Sequence, residues 1–252
     1  MPHTTIIQEM SVLRQAINKY KQDGILALAN SSLRFIYWKS RRAILEPVEF
    51  VLWKLGLRDI GDMYGEGYYN KMVRSEAQED AQRFIEIVIK QYDPSFVMDL
   101  GCGVGRFLKP LSDSGIEVYG IDGSQYAVEN PIDPSIDIDQ HDLTEPLEIG
   151  READVVFCLE VLEHLPKEAA QTAVNSISNA APIAIITAAP PGQGGKHHVN
   201  EQSLEYWIDK FENAGMRFSA SETELLKDSV SPSELKWLQN NVAVFRREDP
   251  DN

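Results

Sequence analysis

The chain has 252 residues, 43% of them hydrophobic, and a formal net charge of −15 at pH 7. Such a chain can bury one large core with an appended segment. The sequence contains no run of 18 uncharged apolar residues, so no membrane-spanning helix is predicted. The acidic charge makes DNA an unfavourable partner, because cationic contacts with phosphate dominate nucleic-acid affinity.

Residues 1–63 are interpreted as an N-terminal helical extension, ahead of a main domain at residues 64–252. Apolar residues recur near helical spacing over residues 4–29, and two further helices are predicted on either side of Pro47. The first residues lack the basic and then apolar order of a secretory signal, so we expect a cytoplasmic protein.

Residues 31–58 combine many large apolar side chains with six basic residues against two acidic ones. One interpretation is a helical cap that packs on the main domain or on a second subunit of a homodimer. The other is peripheral membrane contact, since basic residues beside Trp and Tyr are typical of helices on an anionic bilayer surface. The sequence leaves both open.

From residue 75 onward, short apolar runs alternate with helical segments, which predicts an α/β fold with a doubly wound sheet. Residues 61–70 precede this region and link the extension to the core. They carry three tyrosines that are candidate contacts for a ligand. An amphipathic helix is predicted over residues 75–91. Strands are predicted near residues 96–101, 117–122, 138–143, 153–160, 182–188, 216–222 and 241–247. Helices are predicted near residues 104–114, 124–130, 167–180, 202–214 and 231–240.

A glycine-rich turn follows the first strand, in the sequence Asp-Leu-Gly-Cys-Gly-Val-Gly at residues 99–105. Gly101, Gly103 and Gly105 allow a sharp turn from strand to helix and leave no side chain between backbone and ligand. The dinucleotide-binding motif has two residues between its second and third glycines, whereas one stands here. With Asp99 two residues ahead, this spacing favours a ligand with a cationic amino group over a diphosphate.

Acidic residues mark the carboxyl ends of the next two strands. Asp122 comes 21 residues after Gly101 and can accept hydrogen bonds from both hydroxyls of a ribose. Asp142 ends the third strand, and the fourth ends at Leu159 and Glu160. These ends meet at one edge of a sheet, which predicts a pocket for an adenosine-like ligand. Taken singly, either aspartate is also compatible with a loop acid or a helix cap.

With these residues the chain resembles the class I S-adenosylmethionine-dependent methyltransferases, over roughly residues 64–248. The glycine-rich turn is one motif of that superfamily, and Glu-Val-Leu-Glu-His-Leu at residues 160–165 is a second. The resemblance implies a Rossmann-like fold with a seven-stranded, mostly parallel sheet, whose seventh strand inserts antiparallel beside the fifth. It implies S-adenosyl-L-methionine as cofactor, bound by Asp99, Gly101, Cys102, Gly103, Gly105, Asp122, Gly123, Asp142, Leu143 and Leu159.

The loop after the fifth strand, residues 187–202, is rich in glycine and proline and carries His197 and His198. A neutral histidine can take a proton from a hydroxyl near pH 7, so His198 is the first candidate for a general base and His197 the second. His164, at the end of the fourth strand, completes the candidate catalytic set. Either loop histidine is equally suited to holding the loop shut, and His164 to orienting a substrate or capping a helix.

Glu160, Glu163 and His164 form Glu-x-x-Glu-His, whose carboxylates and imidazole suit a divalent cation such as Mg²⁺. Similar motifs in methyltransferases of ubiquinone synthesis and of small-RNA 3′ ends are linked with a metal. The same residues also occur in superfamily members without one, so metal dependence stays open.

The segment from Pro191 to Trp207 resembles methyltransferases encoded with polysaccharide and glycan assembly enzymes. We therefore expect an O-methyltransferase that acts on a sugar hydroxyl or carboxyl of a glycan or glycolipid precursor. The alternative acceptors are a quinone or small phenol and an RNA 2′-hydroxyl, each with a metal at Glu-x-x-Glu-His. A nicotinamide oxidoreductase would need the other glycine spacing, and a non-catalytic adaptor would not need the glycine-rich turn.

Overall fold

The computed structural model describes Tyr64, Tyr69, residues 75–229 and residues 235–247. The predicted extension at residues 1–63, with its basic segment 31–58, lies outside these ranges. Membrane contact, a homodimer, a cytoplasmic location and the domain boundary at residue 64 therefore stay predictions. Within the described ranges, no helix combines the length and the apolar character that crossing a bilayer requires.

The described chain alternates strands and helices. The helices are α1 (Ser75–Tyr92), α2 (Leu108–Asp113), α3 (Gln125–Glu129), α4 (Ala170–Ala180), α5 (Leu204–Glu212), α6 (Ala220–Ser229) and α7 (Lys236–Asn241), with a 3₁₀ turn at Lys167–Ala169. The strands are β1 (Phe96–Leu100), β2 (Glu117–Asp122), β3 (Ile138–Gln140), β4 (Val155–Leu159), β5 (Ile183–Thr187), β6 (Met216–Phe218) and β7 (Ala243–Arg247).

These strands form one seven-stranded sheet in the order β3-β2-β1-β4-β5-β7-β6. The first five strands pair in parallel, whereas β7 lies between β5 and β6 and is antiparallel to both. The predicted Rossmann-like fold and the antiparallel insertion of the seventh strand beside the fifth are both confirmed.

The centre of the sheet is covered on both faces. Every residue of β1 and β4 is buried, as expected for parallel strands that read as continuous apolar runs. On one face Phe84 of α1 is fully buried, and its ring centroid lies 6.0 Å from that of Phe157 in β4. This packing holds the two central strands, and the loops that follow them, in fixed positions.

The sixth strand differs from its prediction over residues 216–222. It ends at Phe218, and the unpredicted helix α6 begins at Ala220. Beyond Phe218, the next hydrogen bond to β7 comes from a residue of α6 and not from β6. The Val244 amide donates to Oγ1 of the buried Thr223 at 3.0 Å. A side-chain hydroxyl thus replaces a strand carbonyl, which releases the backbone of residues 220–229 to form a helix with Leu226 buried.

The strand order places a topological switch point between β1 and β4. The chain passes outward from β1 to β3 on one side and then crosses to β4 on the other. In open α/β sheets, the crevice at the carboxyl ends of strands on either side of such a point is the usual ligand site.

Candidate functional site

The turn after β1 is held in a conformation that glycine adopts readily. Gly101, Gly103 and Gly105 have φ angles of +86°, +56° and +87°. The amides of Gly101 and Cys102 both donate to the Ile121 carbonyl, at 2.7 and 3.0 Å, which ties the turn to the end of β2. A Cβ on Gly101 would lie 2.3 Å from Cγ2 of Val161, so the turn and the chain after β4 approach each other closely.

Asp122 lies where β2 meets this turn. Its Oδ2 accepts the Gly103 amide at 2.7 Å, and its Oδ1 accepts the Ser124 amide at 2.8 Å and the Tyr69 hydroxyl at 3.2 Å. Burial raises the pKa of Asp122, and the hydrogen bonds from Ser124, Gly103 and Tyr69 oppose that shift. The carboxylate is therefore fixed in orientation at the edge of the glycine-rich turn.

Asp99 lies deeper, with 2% of its surface exposed. Its Oδ1 is buried and accepts no hydrogen bond from the described residues. Burial raises the pKa of Asp99 to about 7, the charge of Asp122 adds to the increase, and Arg106 opposes it. A buried carboxylate with an open oxygen is suited to an incoming cationic group.

These residues line a cleft that is open to solvent. Nine of the ten predicted cofactor residues line it, namely Asp99, Gly101, Cys102, Gly103, Asp122, Gly123, Asp142, Leu143 and Leu159. Gly105 is not among the lining residues; its amide donates to the Cys102 carbonyl at 3.1 Å and starts the turn toward α2. Asp142 also closes a local turn, since its Oδ1 accepts the Thr144 amide at 2.9 Å.

Further residues line the cleft that the sequence reasoning did not assign. They include Val104, Arg106, Phe107, Ser124, His141, Val161 and Leu165, whereas Tyr64 and Tyr69 were predicted as candidate ligand contacts and also line the cleft. Most are immediate neighbours in sequence of assigned residues. Adjacency to the motifs was thus the available signal, but it does not say which neighbouring side chain faces the ligand.

His164 and Glu160 bring the motif after β4 into the same cleft. His164 Nδ1 lies 2.9 Å from the Tyr64 hydroxyl and 3.3 Å from the His197 carbonyl. Because a carbonyl only accepts, this second contact assigns the proton to Nδ1 and leaves the lone pair on Nε2. Burial lowers the pKa of His164 to about 3, and nearby His198 adds to the decrease, so the ring is neutral at physiological pH.

The loop after β5 brings His198 against His164, with ring centroids 4.9 Å apart. Nδ1 of His198 lies 2.9 Å from Oε1 of Glu201. The Glu201 carboxylate also accepts the amides of Gly192 and Gly194, at 2.8 and 2.6 Å. Gly195 leaves room for the ring, since a Cβ there would lie 2.0 Å from His198 Nε2.

His197 is placed differently from its neighbour. It is 8% exposed, has a φ of +61°, and its ring centroid lies 5.8 Å from that of Tyr64. Among the described residues, neither loop histidine is part of the cleft lining. His197 meets His164 through its backbone carbonyl, whereas His198 meets it through its ring.

The candidate metal ligands are grouped differently from the predicted set of Glu160, Glu163 and His164. Ligand atoms of Glu163, His164 and His198 all lie within 4.8 Å of one another, and Glu160 is not part of that group. Glu163 is fully buried; burial, and then the charge of Glu160, raises its pKa to about 8. Its Oε2 accepts no hydrogen bond from the described residues, which fits a cation or a proton at that oxygen.

Glu160 lines the cleft from an unusual backbone position. Its φ of +57° lies in the left-handed region, which is unfavourable for a residue with a side chain and is common at functional sites. The conformation is held by its amide, which donates to Oγ1 of the fully buried Thr187 at 2.8 Å. This bond joins the ends of β4 and β5, so the two loops that carry Glu163 and His198 have a fixed spacing.

The chain is similar in sequence to known methyltransferases. The model of a family described as a methyltransferase domain matches residues 69–239. The magnesium-protoporphyrin O-methyltransferase of Synechocystis sp. is 28% identical over 51% of this chain and 61% of its own length. The ubiquinone biosynthesis O-methyltransferase of Rickettsia typhi is 34% identical over 58% of this chain and 64% of its own length. The chain thus spans less than two thirds of these relatives.

Solved structures share the fold at lower identity. Magnesium protoporphyrin IX methyltransferase from Synechocystis, with bound S-adenosylhomocysteine, has a TM-score of 0.53 at 19% identity, covering 83% of this chain and 99% of that one. The sugar N-methyltransferase KedS8 from Streptoalloteichus has a TM-score of 0.57 at 14% identity, covering 74% of this chain and 94% of that one.

Proposed function

The chain belongs to the methyltransferase domain family, and on that premise we propose that it is an S-adenosylmethionine-dependent O-methyltransferase. The observation that carries the proposal is one cleft in which two carboxylates flank a turn with glycine at alternate positions. Asp99 offers a buried, open oxygen on one side, and Asp122 is oriented by backbone amides on the other.

The cleft residues fit the proposed cofactor. Asp99 would bind the amino group of its methionine portion, and Asp122 its ribose hydroxyls, while Leu143 and Leu159 offer apolar surface to the adenine. S-adenosylmethionine supplies a methyl group already activated on a sulfonium. The protein therefore has mainly to align donor and acceptor, which can contribute roughly 7–11 kcal/mol to catalysis.

If the methyl acceptor is a hydroxyl, it must also lose its proton. A well-placed general base typically increases the reaction rate by about 10²–10⁴-fold. We assign that base to His198, whose Nδ1 is held by Glu201, with His197 second. His164 is held neutral with its lone pair on Nε2, and a group with a pKa of about 3 is a poor proton carrier. His164 is therefore assigned the orientation of the acceptor.

We propose a sugar hydroxyl or carboxyl of a glycan or glycolipid precursor as the acceptor class. The support is the sequence of the loop after β5, together with sugar methyltransferases among proteins of the same fold. The test is methyl transfer from labelled S-adenosylmethionine to a panel of sugars, uronic acids and lipid-linked sugars. Exclusive transfer to non-sugar acceptors would reject this class, and no calorimetric binding of S-adenosylmethionine would reject the function itself.

A second candidate is a cation-dependent transfer to a phenol or quinone precursor. It is favoured by the cluster of Glu163, His164 and His198, and several relatives are named ubiquinone biosynthesis O-methyltransferases. A cation bound there would orient an acceptor oxygen and lower its pKa. An RNA 2′-hydroxyl is less compatible with the net charge of −15.

The cation requirement of the second candidate is tested by chelation, whereas the acceptor class is tested by the panel. If a cation is required, activity is lost after exhaustive chelation and returns with Mg²⁺ or another divalent ion, while binding of S-adenosylhomocysteine is unchanged. Undiminished activity after chelation would eliminate the cation. Activity that survives in both His198→Ala and His197→Ala variants would eliminate the assigned base.

A further inference from the structure

Four side chains after β4 and β5 form a Glu–His cluster, namely Glu160 and His164, which line the cleft, and their neighbours Glu163 and His198. Oε1 of Glu160 and Oε2 of Glu163 are buried and accept no hydrogen bond from the described residues. His164 carries its proton on Nδ1, where it contacts a carbonyl, so its Nε2 offers a lone pair. The same holds for His198, because its Nδ1 contacts the carboxylate of Glu201, which only accepts. A ligand that fits this cluster therefore has to supply hydrogen-bond donors.

The carboxylates of the Glu–His cluster are close together and held in place. Glu160 and Glu163 hydrogen-bond each other, and ligand atoms of Glu163 and the two histidines all lie within 4.8 Å of one another. Side chains of Thr187 and Asn241 hydrogen-bond to the Glu160 carboxylate. The Ala189 amide donates to Oε1 of Glu163 at 3.3 Å. The two open oxygens thus have fixed directions, and one small group can contact several of these atoms.

An ammonium group matches the Glu–His cluster better than a hydroxyl or a metal ion does. It has three N–H donors and no lone pair, and its hydrogen bonds to carboxylates are about twice as strong as neutral ones. A hydroxyl supplies one donor only. A cation bound by Glu163, His164 and His198 would leave Oε1 of Glu160 open, since Glu160 is not part of that group. Mg²⁺ also prefers oxygen ligands, whereas two of those three ligands are imidazoles.

We propose that the methyl acceptor is an amino sugar, whose ammonium binds Glu160 and Glu163 beside the hydroxyl that is methylated. This inference rests on the proposed function, because it names the substrate class of the same site. His198 takes the hydroxyl proton, the oxygen bonds to the methyl carbon, and the carbon–sulfur bond breaks with its electron pair left on sulfur. The protonated nitrogen has no lone pair, so the methyl group goes to oxygen.

The experiment compares matched methyl acceptors with the full chain after exhaustive chelation, using labelled S-adenosylmethionine. Each parent sugar is tested beside derivatives in which an amine replaces one hydroxyl at a time. N-acetylated forms of these derivatives keep the nitrogen but lose its charge. We expect the best amino sugar to exceed both its parent and its N-acetyl form in kcat/KM by about 10- to 100-fold, as for hydrogen bonds to a charged group. Mass spectrometry should place the methyl group on oxygen.

The variant Glu160→Gln tests the assigned residue. It keeps the size of the side chain and removes its charge, so the ratio of kcat/KM for the amino sugar to that for the parent sugar should fall by about tenfold. Glu168→Gln is the matched control, because Glu168 is exposed and outside the cleft lining. The control should keep the wild-type ratio.

The proposal is overturned if no amino sugar exceeds its parent, if none is methylated, or if the methyl group is found on nitrogen. Loss of all transfer on chelation also overturns it, in favour of a metal ion in the Glu–His cluster. An unchanged ratio in Glu160→Gln does the same. The wild-type comparison stands alone if that variant fails to fold. Failure of the wild type to bind S-adenosylmethionine rejects the proposed function instead.

Discussion

At the scale of single residues, the site depends on a few positions where backbone conformation and burial leave little freedom. Gly101 adopts a left-handed conformation directly against Val161. Asp99 is a buried carboxylate with an unfilled hydrogen-bonding oxygen. Each position gives a testable prediction, for which a substitution at a comparable residue serves as the control.

Gly101→Ala should destabilise the protein and abolish cofactor binding for two separable reasons. The φ of +86° disfavours any side chain, at about 1–2 kcal/mol, and the new Cβ would overlap Val161 at 2.3 Å. Gly115→Ala is the matched control, because its φ of +80° is similar and nothing lies within 4 Å of the added Cβ.

Urea unfolding and calorimetry with S-adenosylhomocysteine measure the two effects. Gly101→Ala should lose more stability than Gly115→Ala, and adding Val161→Ala should restore part of the difference. Equal losses in the two single variants would show that the contact with Val161 is unimportant.

Asp99 predicts a pH dependence of stability. Its pKa is about 7 in the folded protein against 3.8 in an unperturbed chain, so the folded state binds more protons than the unfolded state between these values. The free energy of unfolding should therefore fall as pH rises through this window, by up to about 1.4 kcal/mol per pH unit from this group.

Urea unfolding of wild type and Asp99→Asn at intervals from pH 4 to pH 8 measures this contribution. The variant should become more stable relative to wild type as pH increases. The exposed Asp137 provides the control substitution Asp137→Asn, which removes a carboxylate that is not part of the cleft lining. Parallel profiles for wild type and Asp99→Asn would contradict the raised pKa.

At the scale of elements, the loop after β5 is organised around one carboxylate. Glu201 accepts two glycine amides and contacts His198. Its loss leaves three donors within the loop without their partner, which should loosen residues 190–200 and displace the imidazole. The strands that carry the cofactor residues are untouched by this change.

Glu201→Ala should therefore lower kcat/KM for the acceptor by at least about tenfold, since several hydrogen bonds to a charged group are lost. Affinity for S-adenosylhomocysteine should remain at the wild-type value. Limited proteolysis should cut the loop faster in the variant. Glu205→Ala, at an exposed position in α5, is the control; the role of Glu201 is refuted if both variants keep the wild-type acceptor kinetics.

At the scale of the whole molecule, charge is the dominant property. A net charge of −15 causes self-repulsion, which salt screens over a Debye length of about 10 Å at 0.1 M. The thermal midpoint at pH 7 should therefore rise between low and 1 M NaCl. At pH 5, near the isoelectric point of about 4.7, the same salt increase should have a much smaller effect. Equal salt effects at both pH values would show that repulsion does not limit stability.

Much of the cofactor side could be predicted from the sequence, because its information is local. The atoms that face the cofactor are positioned mainly by residues close in sequence. These residues are one strand, the turn with glycines at alternate positions and a second strand that ends in Asp122. Parallel strand ends share one edge of the sheet, so Asp142 and Leu159 follow from the strand pattern alone. Nine of the ten predicted cofactor residues accordingly line one cleft.

The acceptor side could not be resolved in the same way. Three residues within one motif suggested a metal set that includes Glu160, whereas the structure groups Glu163 and His164 with His198 from the next loop. Glu160 has a left-handed conformation and its amide is bonded to Thr187 of β5, a contact between two strands that the motif alone does not indicate. The sequence pattern also failed to predict α6, because it assigned these residues to the sixth strand. In the structure the Thr223 hydroxyl accepts a hydrogen bond from β7 that a strand carbonyl would otherwise accept.

The sequence by itself determined the fold class, the glycine-rich turn and the acids at the strand ends, because short-range sterics and apolar periodicity act within a few residues. Only the tertiary structure decided that His198 lies against His164, that Tyr69 contacts Asp122 and that Arg106 faces the cleft. Those arrangements depend on strand order, on side-chain direction and on hydrogen bonds between segments far apart in the chain. Such contacts are set by the packing of the whole sheet, and no single segment encodes them.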